Sequence, residues 1–190
     1  MLQSLLRGNL EVAKSIKFHF VPCTDELHAS AILDILNEAI ENSTALYDYQ
    51  PRTLQNMITW FATKTAGNFP VIGAVNDQGQ LLGFASYGTF RAWPAYKYSI
   101  EHCLYVHPEH RRQGLGMALM QQLIAAASVQ QYHVMIGGID MNNQGSITLH
   151  RRLGFIHSGT IQQAGFKFGR WLDLGFYQLI LATPACPIDG

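Results

Sequence analysis

The sequence predicts an α/β protein of the α+β kind, with a central mixed sheet and helices on both faces. Three observations carry that expectation. Apolar residues recur at helical spacing in some segments and run or alternate in others. An early pair of apolar runs is joined by a tight turn. In the second half a strand, a glycine turn, a helix and another strand follow in order. A doubly wound fold would alternate strand and helix throughout, and this chain does not. With 190 residues and 48% hydrophobic composition, it can bury one full core. One domain is expected over residues 16–183, after an extension at 1–15 and before a tail at 184–190.

Ile16 to Val21 alternates with Lys17 and His19 and reads as a first strand ended by Pro22. Thr24 offers an N-cap, Asp25 and Glu26 suit the first turn of a helix, and Ala29, Leu33, Leu36 and Ile40 continue at helical spacing to about Ala39. Pro51 suits the start of a second helix carrying Leu54, Ile58 and Phe61, with Gly67 at its end. Phe69 to Val75 and Gln80 to Tyr87 flank Asn76-Asp77-Gln78-Gly79 and predict an antiparallel hairpin. Tyr98 to Val106 reads as a strand, Gly114 to Gln130 as a helix and His133 to Ile139 as a strand. A last helix over Gln144 to Leu153 precedes strands at Phe155 to Thr160 and Leu172 to Leu181.

Thirteen Lys and Arg balance thirteen Asp and Glu, so no broad attraction to nucleic acid or an anionic membrane is expected and a charged ligand must be held locally. Cys23, Cys103 and Cys186 are far apart and odd in number, which argues against a disulfide framework and a thiolate metal site and fits a reducing, cytoplasmic compartment. Leu2, Leu5, Leu6, Leu10 and Ala13 can line a helix, but Arg7, Asn9, Glu11 and Lys14 interrupt the run that a secretory signal needs. His107, Glu109 and His110 flank Pro108 in a polar turn without a fourth ligand nearby, so no metal is expected.

The chemistry concentrates at Arg111-Arg112-Gln113-Gly114-Leu115-Gly116. Between a strand and an amphipathic helix, these residues place the unpaired amides of a helix N-terminus where a phosphate can bind, with two glycines admitting close approach. The same glycines can also serve a tight turn alone. The Walker pattern and the three-glycine dinucleotide fingerprint are both absent. Glu101 is unusual in a strand beside Ile100, Leu104 and Val106, since a partly buried carboxylate needs a partner or a function, and it is the candidate general base. Arg91 suits bidentate capture of a carboxylate.

Leu104-Tyr105-Val106-His107-Pro108 followed by R-x-x-G-x-G resembles the acetyl-CoA motif of the GNAT superfamily, and NNQGSITLHRRLGF resembles its next motif. The segments YSIEHCLYVHPEHRRQGLG, HVMIGGIDMNNQGSITLHRRLGF and KFGRWLDLGFYQLIL resemble the phosphinothricin and methionine sulfoximine acetyltransferase family over about Ile16 to Leu181. The resemblance implies the GNAT fold, acetyl-CoA as co-substrate and acetylation of the α-amino group of a small amino-acid analogue. It implies that Leu104, Tyr105 and Val106 run beside the pantetheine arm. Arg112, Gln113, Gly114, Leu115, Gly116 and Met117 would cradle the pyrophosphate, with Arg111 at the rim. Asn143 would be a further contact or only a helix cap. His150 stands where many GNAT enzymes carry a tyrosine that protonates the leaving thiolate, and can assist either proton transfer. Arg91, Ala92, Trp93, Glu101, His102 and Cys103 would meet the substrate, Cys103 without acting as a nucleophile. Lys167, in Lys167-Phe168-Gly169-Arg170-Trp171, would approach the neighbouring subunit's site in a homodimer, or mark a solvated hairpin tip. Other readings are acetylation of a protein N-terminus or polyamine, and a non-catalytic acyl-CoA sensor.

Overall fold

The computed structural model describes residues 17–189, so the expected extension at 1–15 lies outside the described residues. Seven strands, β1 (His19–Pro22), β2 (Val71–Val75), β3 (Leu81–Thr89), β4 (Ser99–Val106), β5 (Val134–Asp140), β6 (Ile156–Lys167) and β7 (Arg170–Ile180), form one sheet in the order β1-β2-β3-β4-β5-β7-β6. All neighbours are antiparallel except β4 and β5, which are parallel and joined by the crossover helix α3 (Leu115–Val129).

Helices α1 (Asp25–Asn42) and α2 (Leu54–Ala66) cover one face, where Ile32, Leu36, Met57 and Phe61 bury against Val71, Leu81 and Phe84. On the other face Leu119, Leu123 and, from α4 (Gln144–Arg152), Ile147 pack on Leu82, Ile100 and Met135. A chain whose sheet is apolar on both sides closes this way because each face must find a helical cover. No helix among the described residues is long and apolar enough to cross a membrane.

Several expected boundaries move, each for a local reason. α2 starts at Leu54 and not at Pro51, because Thr53 and Asn56 form a reciprocal capping box. β1 begins at His19 and includes Pro22, which an edge strand tolerates. The last hairpin is much longer than expected. β6 runs on past Thr160 to Lys167, with register shifts at His157/Gly159 and Ile161/Gly165, and turns through the left-handed residues Phe168 and Gly169. Beyond β7 the tail returns to Tyr98, whose hydroxyl accepts from the Ile188 amide.

Candidate active site

β4 and β5 pair at only Ser99↔Val134, Ile100↔Met135 and Glu101↔Ile136, after which β5 continues against β7 and β4 against β3. The two strands therefore part after Glu101, and His102 to Val106 have one edge without a strand partner among the described residues. A cleft of about 840 Å³ fills the gap, lined by Leu104, Tyr105 and Val106 on one side and Gly138, Ile139 and Asp140 on the other. Its outer end is the turn before α3, with Arg111, Arg112, Gly114, Gly116 and Met117, facing Asn142, Asn143 and Ser146 of the α4 entry.

That turn is built to leave amides free. Arg112 and Gly114 both have positive φ, 61° and 84°, a pattern that turns successive N–H groups inward. A Cβ on Gly114 would meet nothing, so glycine serves the backbone conformation and not the space. Helices α1, α2 and α4 are capped by the side chains of Thr24, Thr53 and Asn143, whereas α3 has no side-chain cap. The first amides of α3, at Leu115, Gly116 and Met117, thus keep the donor capacity and positive dipole end that favour an anion. Gln113 braces the turn through the Glu109 carbonyl. Arg111 does so more firmly: its Nε donates to the Val106 carbonyl at 3.0 Å and its Nη2 to Glu38 at 2.6 Å. Its role is to fasten the turn to β4 and α1, while Arg112 stays exposed at the rim. Asn143 both lines the cleft and caps α4, accepting from the Ser146 amide.

Side chains of β4 divide by parity. Ile100, Leu104 and Val106 join the core under α3, and Cys103 and Tyr105 join the core under α1 and α2. Glu101 shares the second face. It lies over Gly138, where an added Cβ would come within 3.3 Å of Oε1, and no hydrogen-bond donor among the described residues engages its carboxylate. Burial raises its pKa, and the charge of Arg91 works against that rise. Arg91, Ala92 and Trp93 are exposed in the loop between β3 and β4, with the Arg91 guanidinium 4.5 Å from the Phe90 ring centroid. Burial pushes the Cys103 thiol up, so it is not a ready thiolate.

His102 is on the opposite face of the strand from Glu101, in contact with His150 of α4 at 2.9 Å between their Nε2 atoms. His150 is buried, and its Nδ1 lies 2.7 Å from the Ser146 carbonyl. Burial lowers the pKa of both rings, that of His102 to about 3, so the pair rests neutral. The resemblance placed His102 with the substrate; in the structure it lines the cleft beside His150. Lys167 also departs from expectation, because its Nζ donates to the carbonyls of Ile40, Ser43 and Leu46 at 2.6, 3.0 and 2.7 Å. Three N–H groups meet three acceptors, which leaves none for a substrate. Tyr49 ties the same segment down through the Phe166 carbonyl.

Thr44, Asp140, Ser146 and Gly137 were not anticipated. Asp140 accepts from Thr44 and, at 3.3 Å, from Arg170, closing one wall of the cleft. The consecutive glycines Gly137 and Gly138 within a strand were the available signal, since such residues mark a close approach. Here the His102–His150 pair approaches from one face and Glu101 from the other. His107, Glu109 and His110 have ligating atoms within 4.8 Å of one another, outside the cleft apex.

The combination fits a ligand with a diphosphate and an extended amide-bearing arm: free helix amides at one end, a strand edge along the middle, titratable groups at the apex. Known proteins of similar sequence and fold agree. The acetyltransferase (GNAT) family model matches residues 31–155. An L-methionine sulfoximine/L-methionine sulfone acetyltransferase of Pseudomonas aeruginosa is 45% identical over 150 residues, 79% of this chain and 87% of that one. A solved Acinetobacter baylyi protein described as an acetyltransferase is 61% identical with a TM-score of 0.92, over 93% of this chain and 99% of that one. A GNAT phosphinothricin acetyltransferase of Sinorhizobium meliloti, solved in complex with acetyl-CoA, is 31% identical with a TM-score of 0.86, over 90% and 93% of the two chains. With its fold, cleft and sequence in agreement, the chain belongs to the GNAT family and is an acetyl-CoA-dependent N-acetyltransferase.

Proposed function

We propose that this enzyme acetylates the α-amino group of a small amino-acid analogue, and that methionine sulfone, methionine sulfoximine and phosphinothricin are substrates. Relatives named for these compounds support the substrate class. The observation that carries the reading is the arrangement where β4 and β5 part: Glu101, whose carboxylate meets no donor among the described residues, and a neutral imidazole, His150, lie on opposite faces of the sheet.

Bound acetyl-CoA supplies a thioester carbonyl open to attack by an amine. The amides of Leu115, Gly116 and Met117 hold its diphosphate, and the open edge of β4 from Leu104 to Val106 orients its arm. Glu101 takes a proton from the substrate ammonium, a transfer that its raised pKa favours near neutrality. Arg91, whose charge already reaches Glu101, holds the substrate carboxylate, with Trp93 and Ala92 beside it. His150 serves the proton that the leaving sulfur needs.

A homodimer is part of this reading. β6 is an edge strand, exposed along most of its length, and Ile161, Phe166, Phe168 and Trp171 stand out of the β6–β7 hairpin. A long apolar edge of this kind is covered in a stable protein. The free cysteines support a reducing, cytoplasmic compartment.

Incubating the purified protein with acetyl-CoA and each of the three amines, with CoA release as the readout, tests the substrate class. Release well above the uncatalysed rate is expected for at least one of them. Background release with all three would reject the reading.

A further inference from the structure

Five residues other than glycine have positive φ among the described residues: Asn68, Arg112, Gln131, Gln163 and Phe168. Four of them shape the chain. Asn68 and Gln131 follow the ends of α2 and α3, Gln163 lies in a register shift of β6, and Phe168 turns the last hairpin. Of the five, Arg112 alone lines the cleft, with a φ of 61°. That region of backbone space costs any residue with a Cβ, and long side chains adopt it rarely. Glycine makes such a turn without the cost, as Gly114 does two residues on. The reason for arginine at this position therefore lies in its side chain.

That side chain has no task inside the protein. Among the described residues the guanidinium groups of Arg52, Arg111 and Arg170 are held by Asp48, Glu38 and Asp140. Arg112 meets neither an acid nor a carbonyl among them and stands exposed where the cleft opens. The free amides at the start of α3 already serve the diphosphate of the coenzyme. Coenzyme A has one more anion. Beyond its diphosphate comes a ribose with a 3′-phosphate, a phosphomonoester with up to about two negative charges near neutrality. The residues just outside the α3 terminus are the ones it reaches.

We propose that Arg112 reads the 3′-phosphate of coenzyme A and so selects the phosphorylated coenzyme over dephospho-coenzyme A. Guanidinium and phosphate match in charge and in geometry, two N–H groups against two oxygens. The amides of the turn are fixed and meet the inner diphosphate, whereas a long exposed side chain can follow a phosphate that stays in water. Arg152 also lines the cleft without an acid partner among the described residues, but α4 faces the turn with its first residues and Arg152 is at its other end. The assignment rests on the coenzyme lying in the cleft and on no amine substrate.

Calorimetry with coenzyme A and dephospho-coenzyme A, which differ only in that phosphate, tests it on the unaltered protein, Arg112→Asn, Arg112→Lys and Arg152→Ala. Asn tolerates the left-handed backbone, so it removes the guanidinium and keeps the turn, and its Tm should not fall. The unaltered protein should bind coenzyme A about fivefold or more tighter than dephospho-coenzyme A. In Arg112→Asn the ratio should drop to within about twofold of unity while dephospho-coenzyme A binds as before, which closes a cycle between side chain and phosphate. Lys should restore part of the ratio, and Arg152→Ala should keep it. A ratio near unity in the unaltered protein, an undiminished ratio in Arg112→Asn, equal weakening of both coenzymes, or a ratio lost with Arg152→Ala would overturn the proposal. These constants are measured without an amine, so a chain that acetylates none of the three compounds but discriminates as expected would reject the substrate reading and not the role of Arg112.

Discussion

At the scale of single residues, Glu101 has the sharpest consequence. Its carboxylate meets no donor among the described residues and sits over a glycine, so replacing it with Gln changes proton affinity and little else. Glu101→Gln should lower kcat by about a hundredfold or more while acetyl-CoA affinity, measured by calorimetry, stays within about twofold. Arg91→Ala should raise the amino-acid KM about tenfold or more with acetyl-CoA binding unchanged; an unmoved KM removes Arg91 from the substrate site. His102 gives a stability prediction. Its folded pKa, about 3, lies below the ordinary histidine value of 6.5. Between those values the unfolded chain binds a proton that the folded chain refuses, so stability falls as pH drops through that window, by up to about 1.4 kcal/mol per pH unit for the one group. Thermal melts from pH 7 to 4 should show a shallower decline in His102→Phe. Glu101 was legible in the sequence because a carboxylate among Ile100, Leu104 and Val106 breaks an apolar strand. The partner of His102 was not, although its parity with Ile100 and Leu104 already assigned it to the face away from Glu101.

At the scale of elements, the turn before α3 and the tether at Lys167 are the parts to disturb. Ala at position 114 must adopt a φ of 84°, which costs about 1–2 kcal/mol in a residue with a Cβ. Gly114→Ala should therefore melt earlier and bind acetyl-CoA several-fold more weakly, because the amides it aims would turn away. Lys167→Met leaves three carbonyls after α1 without their donor. The expected loss is about 2 kcal/mol, or about 4–8 °C in Tm for a chain of this size. Most helices were legible because periodicity and caps coincide, as at Thr24. The extent of β6 was not: Ile161 to Lys167 has no clean alternation, and its pairing comes from β7 across two register shifts. The glycine turn was visible in the sequence, but the occupation of Arg111 by Glu38, far away in the chain, depends on tertiary packing.

At the scale of the whole molecule, the β6–β7 hairpin bears on the proposed homodimer and the parted strands on cohesion. Trp171→Asp together with Phe168→Asp puts charge on exposed apolar positions that touch no described core, so the fold should survive. If the proposed homodimer uses this hairpin, light scattering should report a dimer for the unaltered protein and a monomer for the variant; an equal mass for both would place the contact elsewhere. The split between β4 and β5 has a mechanical meaning as well. Among the described residues three residue pairs, with the Tyr98 carbonyl accepting from His133 and Val134 beside them, stitch β4 to β5, and a co-substrate laid along the seam would act as an interstitial strand. Amide hydrogens along the open margin of β4 should exchange quickly in the empty enzyme and slowly once the coenzyme is present, so that each catalytic cycle completes and reopens a ladder that the protein's own strands leave unfinished.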